Sequence, residues 1–574
     1  MAHELKTGIF LLLLSLNSKA QNALYIPPAL SGTTFNLSVQ SGSRSFYPGT
    51  NTPTFGVNGS WMAPTIVVNK GDSVTLNVTN NLTVKTTMHW HGLHVSPQND
   101  GGPHQSINPN TTWSPSFTVR NNASTYWYHP HGAGQTDPQV SKGLAGLFIV
   151  HDPAELALNI PHTYGVDDIP LILQSKAFDE LQQIAIATGM DTALFVNGTL
   201  HPYLNVPAQV IRFRVLNGSS LRSYNLGLSN GQAFYQIGTD GGLLDTPVLR
   251  NRLILSPGER VELLYNGAGH EGETLYLKSY ASGLPHGIYG ADTVGTADNP
   301  IHDYKDNFLN GADFDLLQLH ITAPGTAPVT SIPVSLVPLT PFDPAAATKH
   351  RTIVMDTLRL LPADAPNLAE GPFGLNGKTF DMEYINDTVL LNTTEIWTLK
   401  NKTQVAHPFH IHDIQFNVVR ESGVAIPPAQ RGWKDVVLVM PGDSVQFLTR
   451  FETFSDPMVP YMYHCHLLHH EDDGMMGSFL VLDPATSGIT EARSTKDDAV
   501  IYPNPARNRF TLKTGTAYGH KAILTLTDMK GVQVMKTRIP AGAYQADVSH
   551  YARGIYALSI SGSNKTTVLK LIIE

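Results

Sequence analysis

The hexapeptide Tyr461-Met-Tyr-His-Cys-His466 has a near copy at Tyr126-Trp-Tyr-His-Pro-His131 and a third version, without histidine, at Leu275-Tyr-Leu-Lys-Ser-Tyr280. Two further phrases precede it each time. Val74-Thr-Leu-Asn-Val-Thr-Asn80, Val210-Ile-Arg-Phe-Arg-Val-Leu-Asn217 and Glu395-Ile-Trp-Thr-Leu-Lys-Asn401 alternate apolar with polar residues and end on Asn. Between them and the hexapeptides stand WSPSFTV from Trp113, LSPGERVELLY from Leu255 and MPGDSVQFLTRF from Met440. Alternation with period two marks a half-buried strand. The same phrases in the same order, three times, indicate three copies of one all-β module.

The copies cover about residues 22–155, 165–325 and 346–485, a natural size for a β-sandwich. A Pro-rich connection from Ser331 to His350 leads into the third. A chain of 574 residues is too long for one core. Its low charged fraction (15%), 48 Gly and 39 Pro suit many short strands joined by turns. Helical signal is weak, with residues 178–188 the best helix candidate. The net charge of -9 comes without a long run of either sign, so nothing points to nucleic acid. Residues 1–20 place one Lys before an apolar stretch and end in Ser18-Lys19-Ala20, the layout of a secretory signal peptide. That stretch is too short to span a bilayer stably, and no later segment offers a spanning helix. Residues 498–574 read as a separate small β-sandwich, with a turn between Asp528 and Gly531 and only His520 and His550 as histidines.

Four segments concentrate eleven of the 24 histidines: His89-Trp-His91, His129-Pro-His131, His407-Pro-Phe-His410-Ile-His412, and the run from His464 through His466, His469 and His470 to Met475. On a strand, residues i and i+2 share a face about 6.6 Å apart. Each His-x-His pair therefore offers two imidazoles to one cavity, and four pairs give the eight ligands of a three-copper cluster. Cys465, the only cysteine, must face the other side of its strand. A thiolate with two imidazoles and a weak axial thioether is the ligand set of an electron-transfer copper. His407, His470 and Met475 can complete it. An electron arriving there would cross the Cys465 backbone to His464 or His466, a bonded path on the order of a dozen Å. Copy one keeps the cluster histidines but has Pro130 where copy three has Cys465, and copy two keeps neither. Copies one and three must then meet face to face, bridged by copy two.

These segments resemble the copper-binding signatures of the multicopper oxidases, in particular bacterial members of laccase, cuprous-oxidase and bilirubin-oxidase type. The resemblance implies three cupredoxin-like Greek-key β-sandwiches and four coppers per chain. His89 and His410 would bind the type 2 copper. His91, His129, His131, His412, His464 and His466 would bind the type 3 pair, and His407, Cys465, His470 and Met475 the type 1 copper. It further implies that Asp100 and Glu471 serve as the proton-handling carboxylates near the cluster. His469 reads as exposed or as a neighbour of the ligands. Met476 reads as packing.

The implied reaction couples one-electron oxidation of a small donor to reduction of dioxygen to water. An axial Met favours easily oxidised donors such as phenols and aromatic amines. The 13 methionines are scattered and form no Met-rich insert between His350 and His407, which weighs against specialised Cu(I) oxidation. A metallo-oxidase of Cu(I), Fe(II) or Mn(II) is the second reading. A non-catalytic electron-transfer protein is the third, and it would need only the type 1 set. The tail phrases Tyr502-Pro-Asn-Pro505, Asp528-x-x-Gly531 and Gly554-Ile-Tyr556 resemble the C-terminal sorting domain of the type IX secretion system. That implies partnership with secretion machinery and export, through the periplasm, to the medium or the cell surface.

Overall fold

The computed structural model describes residues 22–186, 188–296, 299–301, 304–358, 371–484, 499–515, 518, 522–528, 533–540, 542–562 and 566–574. The signal-peptide stretch and Gly531 lie outside these residues. The fold is all-β. Two five-stranded groupings of strands face each other in the first repeat, sheets of six and eight strands in the second, and two five-stranded sheets in the third. Apolar side chains from facing sheets close a separate core in each. A three-stranded and a four-stranded sheet pack around a fourth core at the C-terminus.

The repeated phrases occupy equivalent places. The strands Ser73–Asn80, Val210–Asn217 and Thr393–Asn401 each pair in parallel with the first long strand of their repeat, Thr34–Arg44, Asp168–Phe178 and Ala347–Thr357. Each also pairs antiparallel with the second phrase, on Ser116–Thr118, Arg260–Asn266 and Ser444–Phe451. The third phrase forms an inner strand of the opposite sheet: Ser124–His129, Thr274–Tyr280 and Tyr461–Cys465. Alternation explains the arrangement, since each such strand has one face for the core and one for its surroundings.

The Asn that closes each first phrase has one task in all three repeats. Asn80 Nδ2 donates to the carbonyls of Val84 (2.9 Å) and Ile107 (2.8 Å), and its Oδ1 accepts from Leu82 N. Asn217 does the same with Arg222, Leu255 and Ser219, and Asn401 with Val405, Val439 and Thr403. The amide pairs two backbone groups of the buried turn that follows it and ties that turn to the carbonyl of a neighbouring segment, Ile107, Leu255 or Val439.

The helix expected over 178–188 is not formed. The strand Asp168–Phe178 instead runs into a tight turn, in which Asp179 Oδ1 accepts from the backbone N–H of Leu181 and Gln183 (both 2.9 Å). Ile184–Ala185 then pairs back onto Ala177 and Phe178. A short acidic side chain that caps the turn locally outcompetes helical propensity. The helices present are short: Thr136–Ser141, Pro153–Leu156 and Leu468–Asp472. Among the described residues no helix is long and apolar enough to cross a membrane.

Replacing Asn401 by Ala removes three hydrogen bonds to buried backbone groups, of which only the Val405 carbonyl keeps another side-chain partner, the Thr403 hydroxyl, and is expected to cost roughly 2–4 kcal/mol. Urea unfolding of the variant measures this, and a loss below about 1 kcal/mol would contradict the role assigned to the side chain.

Candidate metal centre

Strand register delivers the histidines. In the first repeat His91 stands opposite Trp127, and His89 opposite His129. In the third repeat His410 stands opposite His464, and Phe409 opposite Cys465. His410 and His464 therefore share one face of their sheet, while Cys465 and His407 share the other, as the period of two requires.

The first and third repeats meet at these faces. His91 and His410 stack at 3.7 Å between ring centroids, and His89 and His412 at 3.9 Å. Three nitrogens form one triangle: His131, His412 and His464 present Nε2 atoms 3.1–3.3 Å apart. Three form another: His91 Nδ1 lies 3.5 Å from His129 Nε2 and 3.3 Å from His466 Nε2. Metal–imidazole bonds of about 2.0–2.1 Å in tetrahedral array separate ligand nitrogens by about 3.3–3.4 Å, so both triangles have the edge a metal ion needs. His89 and His410 are left over. Their Nε2 atoms are buried without a hydrogen-bond partner, while each Nδ1 donates to a backbone carbonyl, of Asp100 (2.9 Å) and of Asp435 (2.8 Å). Exchanging the two repeats maps His89 onto His410, His91 onto His412, His129 onto His464 and His131 onto His466. One triangle maps onto the other and the leftover pair onto itself.

On the opposite face of the Cys465 strand, Cys465 Sγ lies 3.4 Å from His407 Nδ1 and 3.9 Å from His470 Nδ1. The two Nδ1 atoms are 3.3 Å apart. Met475 is fully buried in the same core, and its carbonyl accepts from Cys465 N–H (3.0 Å). A backbone N–H from Leu467 points at the sulfur (3.5 Å). The outward nitrogens are occupied: His407 Nε2 by the Thr403 hydroxyl (2.8 Å) and His470 Nε2 by the Tyr289 hydroxyl (3.3 Å). Phe373 packs against both rings. Neither Thr403 nor Tyr289 was legible as part of the site, because both come from loops without a repeated phrase.

Around the triangles, Asp100 Oδ2 accepts from His412 Nδ1 (2.7 Å). Glu471 Oε1 lies 3.3 Å from His131 Nδ1 and accepts from the Thr136 hydroxyl (2.6 Å), and its Oε2 lies 3.1 Å from His464 Nδ1. Both carboxylates are buried against the imidazoles. Asp435, which sequence reasoning missed, accepts from His91 Nε2 through Oδ1 (3.1 Å). His469 is partly exposed and its Nε2 lies 3.5 Å from Asp473 Oδ2, outside both nitrogen triangles. Met476 lies in the strand Met476–Leu482 and pairs with His464. Burial drives His407 down to about 3, and His412 to about 3 despite the opposing pull of Asp100, so both stay neutral and keep a lone pair for a metal.

Residues 38–155 and 350–485 match the multicopper oxidase family, and residues 500–574 match the secretion system C-terminal sorting domain. Multicopper oxidase mco of Staphylococcus epidermidis is 33% identical over 457 residues, covering 78% of this chain and 88% of that protein. Cell division protein FtsP of Escherichia coli is 32% identical over 472 residues, covering 80% and 93%. Among solved structures, a laccase-like multi-copper oxidase, CueO, from the lignin-degrading bacterium Ochrobactrum sp. superposes with a TM-score of 0.70 at 32% identity, covering 80% of this chain and all of that one.

In the unfolded chain an imidazole titrates near 6.5. Between about pH 6.5 and 3 the unfolded state therefore binds more protons at His407 and His412, and stability falls as the pH falls. Copper-stripped protein is expected to lose about 2 kcal/mol per group between pH 7 and pH 5. A urea midpoint unchanged over that range would contradict the neutral, buried state of these rings.

Proposed function

The chain belongs to the multicopper oxidase family, and on that premise we propose that it is a laccase-like oxidase coupling one-electron oxidation of phenols or aromatic amines to reduction of dioxygen to water. The observation that carries the reading is the pair of nitrogen triangles beside the unpartnered Nε2 atoms of His89 and His410. Similarity alone would not suffice, since a cell division protein shares it and a fold does not fix an activity. In this reading four coppers are held. His89 and His410 hold one, His91, His129 and His466 a second, and His131, His412 and His464 a third. His407, Cys465 and His470, with Met475 from the same core, would hold the fourth. Bound copper supplies a one-electron acceptor at Cys465 and, at the eight histidines, a centre that takes dioxygen to two waters with four electrons and four protons.

The chain's own part is wiring, positioning and proton supply. His464-Cys465-His466 joins the two ligand groups through one strand, a bonded route on the order of a dozen Å. Asp100 holds the Nδ1 proton of His412, which leaves Nε2 free as a ligand. Glu471, between His131, His464 and the Thr136 hydroxyl, is placed to pass protons inward. The donor meets a wall rather than a bare imidazole, because Thr403 and Tyr289 occupy the outward nitrogens of His407 and His470. The type IX tail and the signal-peptide layout support export through the periplasm, with the sorting machinery as partner.

Copper-loaded protein is expected to be blue and to consume oxygen with 2,6-dimethoxyphenol. A colourless protein, or a blue one inert toward every donor, would refute the reading. Cys465→Ser should lose both colour and turnover while the eight histidines still bind copper; turnover at the parental rate would break the wiring argument. Glu471→Gln should keep the blue colour and slow oxygen uptake by about 100-fold, as loss of a proton-transferring group does. Oxygen electrode traces at saturating donor report it.

A further inference from the structure

The exchange that maps the first repeat onto the third gives Asp100 a counterpart. Asp100 serves two imidazoles, accepting from His89 through its backbone carbonyl and from His412 through its carboxylate. Asp435 serves their symmetry mates in the same way. Its carbonyl accepts from His410 Nδ1 (2.8 Å) and its Oδ1 from His91 Nε2 (3.1 Å).

What holds the two carboxylates differs. Asp100 Oδ1 accepts no hydrogen bond. Asp435 is clamped by both arms of Arg260, Nη1 to Oδ1 and Nη2 to Oδ2, each at 2.6 Å, and Oδ2 also accepts from Gln415 Nε2 (3.0 Å). Asp435 and Arg260 are fully or almost fully buried, where a planar two-armed pair is the strong geometry for a carboxylate. Arg260 also donates through Nε to the carbonyl of Thr125 in the first repeat (3.1 Å) and through Nη2 to that of Asp240 in its own (3.1 Å). One guanidinium thus touches all three repeats. Gly92, at φ +84°, leaves the space: a Cβ there would run into Asp435 Oδ2 and Arg260 Nη2.

The clamp accounts for a break in the symmetry. His412 turns Nε2 toward its triangle, but His91, its mate, turns Nδ1. With both carboxylate oxygens of Asp435 facing donors, the His91 proton sits on Nε2 and the lone pair on Nδ1. We infer that Asp435, locked by Arg260, is a positioning residue of the three-metal site that selects Nδ1 of His91 as the ligand atom, and that this is the contribution of the second repeat to a centre for which it supplies no ligand. The inference rests on the copper-binding reading above.

In Asp435→Asn an amide oxygen kept toward His91 and Arg260 Nη1 turns the NH2 group on Arg260 Nη2 and Gln415 Nε2, and the flipped amide turns it on His91, so either way the lock is broken. The backbone carbonyl to His410 is retained. The variant, loaded with copper and dialysed, is expected to keep the blue colour of the Cys465 site and to bind copper at the coupled pair at least about tenfold more weakly. Metal analysis should find fewer coppers per chain, and electron paramagnetic resonance should show loss of the silent, coupled pair. Arg260→Lys, which keeps the charge but not the fork, should show the same signature more mildly, and it serves if Asp435→Asn does not fold. Parental copper content with an intact coupled pair in the folded variant, or in Arg260→Lys when Asp435→Asn is unfolded, would overturn the inference. Because copper content and magnetic coupling are read without turnover, an inert parent protein would sink the proposed oxidase activity and leave this test standing.

Discussion

Eight buried imidazoles converge on one space, and to serve as ligands each must aim a lone pair inward while its proton is held outward. That constraint organises the centre of the molecule. A buried imidazole with its proton unplaced has no fixed ligand atom, and an unpaired buried N–H carries a desolvation cost. The protein meets the constraint mostly with backbone carbonyls and buried carboxylates. The carbonyls of Asp100, Asp435, Pro130 and Cys465 accept from His89, His410, His129 and His464. Carboxylates of Asp100 and Asp435 serve His412 and His91. Three of these four carbonyls stand in short connections beside the strands and only that of Cys465 stands within one, so the connections as well as the ladders are held in fixed positions around the rings.

The three repeats show how one module was divided among tasks. The buried Asn at the end of the first phrase survives in all three, because the turn it satisfies belongs to the fold and not to the chemistry. Histidines survive in the first and third, which face each other across the cavity. The thiol exists only in the third, at a position where Pro130 would leave nothing to ligate. The second repeat has neither, yet its middle phrase carries Arg260 into the space between the other two. A centre assembled from separate sandwiches needs something to set their spacing to within a few tenths of an ångström. Hydrogen bonds from one guanidinium to three repeats meet that need in a way apolar packing cannot, because they are directional.

The Cys465 group is built differently. Cys465, His407 and His470 sit in the apolar core of one sandwich, where Phe373 and Met475 exclude water. Burial pushes the Cys465 thiol far up, so only a bound cation makes the thiolate the stable form there. The outer edge of the group is closed by buried side chains of loops, Tyr289 from the second repeat and Thr403 from the third. Loops vary more readily than the strands they join, so this edge can change while the strand-borne histidines stay in place.

Period-two alternation, the threefold phrase and the spacing of the histidines were enough to read the all-β repeat architecture from the chain alone. They also gave which rings share a face, since i and i+2 on a strand have no other choice. The sorting domain was legible from short phrases at its ends. Local competition was harder: Asp179 turns a helix-like stretch into a hairpin through two hydrogen bonds that composition does not display. Only the tertiary structure decided which rings from different repeats form each triangle, which nitrogen of His91 turns inward, and that Asp435, Arg260 and Tyr289 belong to the site. Those are contacts between residues far apart in the chain, fixed by how whole sheets pack. A pattern of neighbours carries the direction of a side chain, but not what stands opposite it.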